Sequence, residues 1–312
     1  MNRNKPLISI LTLVYNHSAF IELTIDSVLN QTFHNWEWII LDDGSTDSTG
    51  EMIKKIKDSR IHYSLQEHMG FDHLTGTYNS ALAMCGGDFI ALLDGDDYWP
   101  QYKLEIQMKS FDDPNTILSY GECFVINQKG NKIDHIRLPE DLSIASNNPI
   151  GSALRKLLVD EWCFMVPPTV MLRKSVLLGI GGFKEAKGLG EDFPTWLMLS
   201  LEGGFSAIPR CLGYYRKHPF SVTATQNPIV YLGNQISFFR DFILKNNQKL
   251  ENIGFSVDMD KLEKRWAKLS IKIKIIYFIR ILSSPLRIDL VNLIVSAKSK
   301  LRKLMNALLK RS

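Results

Sequence analysis

Short apolar runs alternate with amphipathic segments over the first hundred residues of the chain. The apolar runs are nearly continuous, which is typical of strands buried on both faces of a parallel sheet. The segments between them have helical spacing, and Ser48-Thr49-Gly50-Glu51 predicts a capping box at a helix start. The pattern predicts strands over 7–14, 36–41, 61–65 and 88–93, and helices over about 19–30, 49–57 and 75–85. This alternation indicates β-α-β crossovers, and therefore an α/β fold with a doubly wound, mostly parallel, Rossmann-like sheet.

The pattern changes after residue 100. A hairpin or a pair of strands is expected over 118–133, with its turn at Gln128-Lys129-Gly130. A strand is expected over 166–173 and a helix over 192–201. Beyond residue 226 nearly the whole sequence has helical spacing. The sequence therefore predicts a body over 1–225 and a C-terminal helical extension over 226–312.

The composition is that of an ordinary globular protein, with 45% hydrophobic and 22% charged residues among 312. The four cysteines form no C-x-x-C pair, which argues against a thiolate zinc site. The first 30 residues show no basic start followed by a long apolar run, so no signal peptide is expected. The expected location is the cytoplasm, with the cysteines as small buried hydrophobes.

Charge is unevenly distributed along the chain. Residues 265–312 hold 12 of the 37 Lys and Arg residues but, in Asp289, one of the 33 acidic residues. Residues 286–309 have the spacing of an amphipathic helix, whereas 269–282 are too short and too charged to span a bilayer. The segment 265–312 is expected to contact an anionic membrane surface at the inner face of the membrane. The alternative is a helix packed on the body with a solvated basic face.

The strongest chemical signal is an acidic turn, Asp94-Gly95-Asp96-Asp97, which ends the apolar run 88–93. Open α/β sheets bind ligands at the carboxyl ends of their strands, and crowded carboxylates favour a cation. A hard divalent ion such as Mg²⁺ or Mn²⁺ would meet that need and would bind phosphate oxygens in turn. The alternative is a solvated turn in which an aspartate caps a helix.

A second acidic turn, Asp42-Asp43-Gly44-Ser45-Thr46-Asp47, also follows an apolar run. Asp43 is expected to accept a ring N–H of a nucleobase, and Asp47 or Ser48 to cap the following helix. Neither turn contains G-x-x-x-x-G-K, and no G-x-G-x-x-G follows the first strand. A P-loop kinase or ATPase and a Rossmann dehydrogenase are therefore not supported.

Two further groups of polar residues occur later in the chain. Asp192 follows Gly190-Glu191 at a predicted helix start, where apolar neighbours could raise its pKa to suit a general base. The alternative is that Asp192 has only a structural role, as a negative charge that the helix dipole stabilises. Arg216 and His218 lie at the end of a predicted edge strand, where they could hold a diphosphate or complete a metal site. The alternative for His218 is a structural histidine.

These motifs, in this order, resemble the family 2 glycosyltransferases, which have the GT-A fold. The resemblance covers roughly residues 6–225. Besides the two acidic turns, it rests on Ile10-Leu11-Thr12-Leu13-Val14-Tyr15-Asn16, Gln31-Thr32-Phe33, Gly181-Gly182-Phe183, Glu191-Asp192 and Tyr215-Arg216-Lys217-His218. One departure is Thr77-Tyr78-Asn79, where many members carry Ala-Arg-Asn. One cation near the diphosphate would then be absent, or would come from His73 or Arg216.

The resemblance implies an inverting transferase that moves a sugar from a nucleoside-diphosphate sugar, UDP-linked by default, to a hydroxyl of a glycan or lipid-linked acceptor. The expected setting is cell-surface polysaccharide synthesis. A nucleotide-binding half is implied over about 1–100 and an acceptor-binding half over about 101–225. By position, the resemblance implies a nucleotide cradle of Thr12, Tyr15, Asp43 and Asp94, a metal ligand in Asp96, a catalytic base in Asp192, and diphosphate contacts from Arg216 and His218, with His218 also a candidate metal ligand.

Two other functional classes use some of these features. A nucleotidyltransferase also binds a metal at strand-end carboxylates, but it would need a glycine- and lysine/arginine-rich loop after the first strand. Residues 15–20 are Tyr-Asn-His-Ser-Ala-Phe instead. A non-catalytic nucleic-acid-binding protein could use the basic segment 265–312, but the sequence has no aromatic stacking platform or base-reading motif. No nucleic-acid partner is therefore expected.

Overall fold

The computed structural model describes residues 8–143, 149–159, 164–222 and 227–282. In these ranges the strands are β1 Ile8–Val14, β2 Trp36–Asp42, β3 Ile61–Leu65, β4 Phe89–Leu92, β5 Thr116–Asn127, β6 Lys132–Ile136, β7 Met171–Arg173 and β8 Gly204–Lys217. They form one mixed sheet in the order β3-β2-β1-β4-β7-β5-β6, and β8 also pairs with β5.

Helices cover the sheet and make up the C-terminal part of the described chain. They are α1 Ile21–Leu29, α2 Thr49–Lys54, α3 Leu74–Met84, α4 Lys103–Ser110, α5 Glu140–Ser143, α6 Ser152–Val159, α7 Lys174–Gly179, α8 Asp192–Leu199, α9 Pro228–Lys245, α10 Asn247–Asn252 and α11 Met259–Leu282. Single turns of 3-10 helix occur at Phe71–His73 and Pro167–Thr169.

The parallel half of the sheet consists of β3, β2, β1 and β4, as the apolar runs predict. β1 pairs in parallel with both β2 and β4, and all seven of its residues are buried. A strand buried on both faces needs apolar side chains on both, which explains the unbroken run in the sequence. Because the strands are parallel, their carboxyl ends meet at one edge of the sheet, and both acidic turns lie at that edge.

The second half of the sheet is partly antiparallel. The predicted hairpin is confirmed: β5 pairs antiparallel with β6, and Gly130, with φ 83°, lies in the turn between them. The strand expected over 166–173 is shorter than predicted. Pro167–Thr169 forms a 3-10 turn, since proline lacks the N–H that a central strand must donate, and β7 begins only at Met171. β7 pairs antiparallel with β4 and β5 and joins the two halves.

The helix after β2 begins differently from the prediction. The expected capping box is wrong, because the Ser48 side chain makes no capping hydrogen bond. Asp47 caps instead: its Oδ1 accepts from the Thr49 N–H at 2.9 Å. The helix α2 ends at Lys54, three residues before its predicted end.

The chain falls into two compact units. The first contains Met1–Gln226 and Ser237–Ser256, and the second Asn227–Ile236 and Val257–Ser312. The boundary expected after residue 225 stays a prediction. The two units differ from it at Ser237–Ser256, which belongs to the first unit although it lies in the predicted C-terminal extension. In the second unit, α11 buries Leu262 and Trp266. No helix of the described ranges is long and apolar enough to cross a bilayer, and the amphipathic helix predicted over 286–309 lies outside those ranges.

The turns at the carboxyl edge of the sheet are linked by Asn16, the residue that follows Tyr15 after β1. Asn16 has a φ of 55°, and its Oδ1 accepts from the Thr46 N–H at 2.8 Å and the Asp47 N–H at 3.3 Å. Its own N–H donates to Ser45 Oγ at 2.9 Å. One amide side chain therefore holds the β1–α1 turn against the acidic turn after β2. Asparagine tolerates this left-handed conformation better than residues with other side chains.

A buried threonine supports the other acidic turn. Thr24 on α1 is fully buried, and its one O–H group is shared between two carbonyl oxygens, that of Asp97 at 2.7 Å and that of Gly95 at 3.0 Å from Oγ1. Gly95 leaves no room for a side chain, because an added Cβ would lie 2.5 Å from Val14 and 2.6 Å from His17. The hydroxyl of Thr24 and the close packing of Gly95 therefore fix the turn that carries Asp94, Asp96 and Asp97.

Substitutions at Asn16 should separate its two contributions to stability. Asn16→Gly keeps the left-handed backbone but loses the side-chain hydrogen bonds, so we expect the free energy of unfolding to fall by about 1 kcal/mol. Asn16→Ala loses the same bonds and also strains the backbone, so it should be less stable than Asn16→Gly by about 1 kcal/mol. Urea denaturation of the three proteins measures both differences. If Asn16→Ala were as stable as Asn16→Gly, the backbone argument would be refuted.

Candidate active site

Asp43 lies at the end of β2 and is surrounded by hydrogen-bond donors from the segment 66–70. Its Oδ1 accepts from Gln66 Nε2 at 2.6 Å and from the Met69 N–H at 3.0 Å. Its Oδ2 accepts from the Gly70 N–H at 3.1 Å and lies 2.9 Å from His68 Nδ1. The neighbouring Asp42 is 1% exposed, and its carboxylate accepts from the Tyr63 hydroxyl at 2.8 Å. Of the two adjacent aspartates, Asp42 is structural and Asp43 faces the edge of the sheet.

Tyr15 and Thr12, both expected in the nucleotide cradle, differ in their exposure. The Tyr15 side chain is 40% exposed and its ring stacks on His68, with centroids 3.9 Å apart and an interplanar angle of 16°. Thr12 is fully buried in β1, and its hydroxyl accepts from Trp38 Nε1 at 2.8 Å. Tyr15 is therefore accessible to a ligand, whereas the side chain of Thr12 lies in the core. Contact between Thr12 and a nucleotide stays a prediction.

Asp94, the first residue of the second acidic turn, is hydrogen-bonded to helix α3. Its Oδ1 accepts from the Tyr78 hydroxyl at 2.5 Å. Burial, followed by the charge of Asp96, raises the pKa of Asp94 to about 7, and the hydrogen bond from Tyr78 only partly offsets this. The phenol of Tyr78 thus occupies the position at which many family members carry an arginine, and it donates a hydrogen bond without adding a positive charge.

Asp96 and His218 meet at the centre of the turn. Asp96 Oδ2 lies 3.0 Å from His218 Nε2, and the two side chains are 13% and 4% exposed. Burial acts to raise the pKa of Asp96, but the hydrogen bond from His218 and the charges of His17 and His218 outweigh it and lower the pKa. The His17 ring lies beside them, with its centroid 6.4 Å from that of His218. His17 was not among the site residues that the sequence predicted.

The pair Asp96–His218 has the chemistry of a small metal site. A carboxylate oxygen and an imidazole nitrogen are donors that Mn²⁺ accepts, and Mg²⁺ accepts the carboxylate. His218 Nδ1 is buried without a hydrogen-bond partner, so the ring is not committed elsewhere in the described structure. Within the described ranges there is no group of three His, Cys, Asp or Glu side chains that could hold a metal ion. Two protein donors fit a metal whose remaining ligands come from phosphate and water.

Arg216 is buried behind this pair, with 1% of its surface exposed. Its main-chain N–H donates to Asp97 Oδ1 at 2.7 Å, and its Nε donates to the Asp96 carbonyl at 2.8 Å. Its Nη1 donates to the carbonyl oxygens of Asn127 and Gln128, both at 3.2 Å. Nη2 is buried without a partner. Arg216 therefore positions the acidic turn against the β5–β6 hairpin, and its predicted contact with a diphosphate stays a prediction.

Asp192 begins helix α8 and faces the same charges. Its Oδ1 accepts from the Phe193 N–H at 2.6 Å. Burial raises the pKa of Asp192 to about 6, with that hydrogen bond acting in the opposite direction. The charge of Asp192 contributes to the raised pKa of Asp94, and the charges of Asp192 and Asp94 contribute, after burial, to that of Glu191. The start of α8 therefore lies close enough to the acidic turn for the carboxylates of the two to influence each other.

The loop that precedes α8 is fastened to α3. Asn79 Nδ2 donates to the Phe183 carbonyl at 3.1 Å, and Asn79 Oδ1 accepts from the Phe183 N–H at 2.8 Å. Gly182, with φ 81°, brings the main chain so close that an added Cβ would clash with the Asn79 side chain. Asn79 and Tyr78 are adjacent on α3, so one turn of helix fixes both the α8 loop and Asp94.

A cavity of about 350 Å³ opens beside the segment that surrounds Asp43. It is lined by residues of the segment 66–80 and by Glu185 from the loop before α8. The lining includes His73, which the sequence offered as a substitute for the missing cation. It also includes Gln66 and Met69, both of which donate to Asp43, so the cavity continues from the site of Asp43.

The sequence predicted most of the charged residues of this site but missed their neutral partners. His17 and His68 lie in loops, and Thr24 is a single polar residue on the buried face of α1, so none of the three has a periodic or spacing signal. Asn16 had a signal, since it belongs to the Tyr-Asn pair that supports the family resemblance, but its role as a link between the two turns was not predicted.

Comparison with known proteins adds independent evidence. The profile of the family described as Glycosyl transferase family 2 matches residues 9–180, more than half of the chain. TuaG of Bacillus subtilis (strain 168), whose name refers to teichuronic acid biosynthesis, is 33% identical over 225 residues, covering 69% of this chain and 81% of TuaG. WfaP of Escherichia coli is named as a UDP-Glc:alpha-D-GlcNAc-diphosphoundecaprenol beta-1,3-glucosyltransferase. It is 32% identical over 223 residues, covering 70% of this chain and 81% of WfaP.

Solved structures show the same fold. TarS from S. aureus, in complex with UDP-GlcNAc, matches with a TM-score of 0.59 and 18% identity over 76% of this chain and 66% of the TarS chain. The mannosyltransferase PcManGT from Pyrobaculum calidifontis, in complex with GDP-Man and Mn²⁺, matches with a TM-score of 0.53 and 16% identity over 80% of this chain and 68% of that one. These likenesses confirm the predicted GT-A type fold. Together with the family profile, the fold and the order of the motifs, they lead to one conclusion: the chain belongs to glycosyl transferase family 2.

Proposed function

We propose that this glycosyltransferase moves a sugar, with inversion, from a UDP-sugar to a hydroxyl of a lipid-linked saccharide. The observation that carries the proposal is the link that helix α3 makes between two acidic regions: Tyr78 donates to Asp94, and the adjacent Asn79 holds Phe183 in the loop before α8. This link supports a common site for the candidate metal ligand Asp96 and the candidate base Asp192 at the carboxyl edge of the sheet. A diphosphate and an acceptor hydroxyl need those two groups on opposite sides of one reacting carbon.

The donor and acceptor classes are supported by relatives. WfaP is named for UDP-Glc as donor and a GlcNAc-diphosphoundecaprenol as acceptor, and TarS was solved with UDP-GlcNAc. PcManGT was solved with GDP-Man, so the nucleotide varies among proteins of this fold. We carry over the UDP-sugar and the lipid-linked acceptor to this chain, and we leave the identity of the sugar to experiment. Synthesis of a cell-surface polysaccharide is the setting that these substrates suggest.

The nucleotide is proposed to lie against the ends of β1 and β2. The exposed ring of Tyr15 offers a stacking surface for the base, and Asp43 offers a carboxylate for a ring N–H. Asp94, in the turn after the strand β4, would lie beside the ribose and diphosphate. Arg216 and His218 are proposed to contribute positive charge near the diphosphate, Arg216 from its buried position behind Asp96.

Asp96 and His218 are the residues that would hold a divalent metal, Mn²⁺ or Mg²⁺. When bound, the metal would supply positive charge that stabilises the leaving nucleoside diphosphate. The protein fixes Asp96 for this task through Thr24 and Arg216, which hold the main chain on both sides of it. Such preorganisation lowers the cost of reorganising the site during the reaction.

Asp192 is proposed as the general base. Its carboxylate would take the proton of the acceptor hydroxyl while that oxygen attacks the anomeric carbon. The bond between the anomeric carbon and the phosphate oxygen breaks, and its electron pair leaves with the nucleoside diphosphate. One displacement inverts the configuration, so no covalent sugar–enzyme intermediate forms. Glu191, which is 6% exposed and has a pKa raised chiefly by burial, lies behind Asp192 without facing solvent.

The basic segment 265–312 is proposed to hold the enzyme at the inner face of a membrane, with the catalytic body in the cytoplasm. Basic residues near an anionic leaflet each contribute on the order of 1 kcal/mol to such binding. A lipid-linked acceptor would then lie in the same surface as the enzyme.

Substitution of Asp192 tests the proposed reaction. With Mn²⁺ and a panel of UDP-, GDP- and dTDP-sugars, the wild-type chain should release nucleoside diphosphate from a UDP-sugar in the presence of a GlcNAc-diphosphate lipid. Asp192→Asn should reduce kcat by about 10²–10⁴-fold and leave the affinity for UDP unchanged, because it removes only the base. Glu202→Gln, an exposed carboxylate beyond the other end of α8, is the matched control and should keep the wild-type rate.

Each contrary result has a distinct meaning. A wild-type rate in Asp192→Asn would refute the base assignment alone. Release of pyrophosphate rather than nucleoside diphosphate would favour a nucleotidyltransferase. Binding of an oligonucleotide without binding of any nucleotide sugar would favour a nucleic-acid-binding protein.

The pH dependence of the reaction tests the same residue. A general base works only when deprotonated, and the pKa of Asp192 is raised to about 6. The value of kcat/KM should therefore rise with pH through about 6 and level off above it, whereas an ordinary aspartate would place that rise near pH 4. Asp192→Glu should move the midpoint of the rise. A midpoint unaffected by Asp192→Glu would assign the titration to another group.

A further inference from the structure

The space between Tyr15 and Asp43 is filled by the side chain of His68. The imidazole stacks on the Tyr15 ring, with centroids 3.9 Å apart and planes 16° from parallel. Its Nδ1 lies 2.9 Å from Asp43 Oδ2 and 2.8 Å from the Asp43 carbonyl oxygen. A planar ring that stacks on the tyrosine and offers a ring nitrogen to the carboxylate makes the two contacts that the proposed nucleobase would make.

The acceptor positions of the Asp43 carboxylate are covered. Gln66 Nε2 and the Met69 N–H donate to Oδ1, and the Gly70 N–H donates to Oδ2. His68 Nδ1 lies 2.9 Å from Oδ2 and 2.8 Å from the Asp43 carbonyl oxygen, so the imidazole covers the remaining one of the roughly four lone-pair positions that a carboxylate offers. A base N–H can reach Oδ2 once the imidazole leaves.

His68 is the donor that can leave with least disturbance. Two of the others are main-chain N–H groups, and Gln66 also donates to Thr77 Oγ1 at 3.3 Å. The His68 side chain is 44% exposed, so rotation about its own side-chain bonds carries the ring into water. Its main chain is held in place: Gly44, with φ 81°, packs so closely that an added Cβ would lie 2.7 Å from His68 N.

We infer that His68 occupies the nucleobase subsite of the empty enzyme and that the incoming base displaces its imidazole. The inference rests on the proposed nucleotide site at Tyr15 and Asp43. Displacement of the imidazole frees both the face of the Tyr15 ring and the Oδ2 atom of Asp43. His68 therefore sets the affinity for the nucleotide, because part of the binding free energy is used to displace it.

Replacement of His68 should strengthen nucleotide binding. In calorimetry with saturating Mn²⁺, we expect His68→Ala to lower the Kd for UDP by about three- to tenfold, since a stacked ring and a hydrogen bond no longer compete. The Kd for inorganic pyrophosphate, which has no base, should not change. His62→Ala, an exposed histidine on β3, is the matched control and should bind UDP as the wild type does.

A second measurement reports the displacement itself and does not depend on the stability of a variant. In wild-type protein with ¹³C-labelled histidine, the His68 ring signals should lose the ring-current shift caused by Tyr15 when UDP is added, but not when pyrophosphate is added. The His68→Ala spectrum assigns those signals.

The outcomes separate the inference from the proposal on which it rests. Weaker or unchanged UDP binding by His68→Ala, or a ring-current shift that persists in the UDP complex, overturns the displacement of His68. If the wild type binds none of UDP, GDP and dTDP, the nucleotide site itself is wrong. Stronger binding of both UDP and pyrophosphate by His68→Ala would also overturn the inference, because the effect would not depend on the base.

Discussion

Repulsion between like charges at one edge of the sheet is the constraint on which the rest of this structure depends. Parallel pairing brings the ends of β1, β2 and β4 together, and the turns that follow β2 and β4 are both rich in aspartate. Carboxylates gathered in this way are stable only where donors or cations compensate them. The side chains of Tyr63, Gln66 and Tyr78 supply such donors to Asp42, Asp43 and Asp94.

The carboxylates fall into two groups. In one group the protein's own hydrogen-bond donors stabilise the negative charge, and in the other burial disfavours it. Asp42 and Asp47 are satisfied by local donors, and hydrogen bonds from Ser18 and Thr49 outweigh burial and lower the pKa of Asp47 to about 2. Burial instead raises the pKa of Asp94 to about 7 and that of Asp192 to about 6. Two residues with a proposed role are thus carboxylates with a raised pKa, and this is consistent with the view that perturbed carboxylates cluster at functional sites.

The sequence predicted the parallel half of the sheet and the acidic turns, because buried strands and crowded aspartates both leave strong local patterns. It could not predict that β7 joins the two halves, since a three-residue strand after two prolines has no periodicity. The burial of Arg216 was also beyond reach, because its partners are carbonyl oxygens 89 and 120 residues away. Likewise, the stacking of His68 on Tyr15 depends on the path of a loop, which composition does not determine.

The single amide of Asn16 has a consequence for where this site can move. It joins the turns after β1 and β2, so the positions of Tyr15 and Asp43 are linked. Residues 66–70, which follow β3, meet these two residues through the stacked ring of His68 and through hydrogen bonds to the Asp43 carboxylate, and both kinds of contact can be exchanged for others. If a nucleotide binds there as proposed, adaptation to nucleotides of different shape falls to this five-residue segment, and the spacing between the Tyr15 ring and the Asp43 carboxylate is preserved.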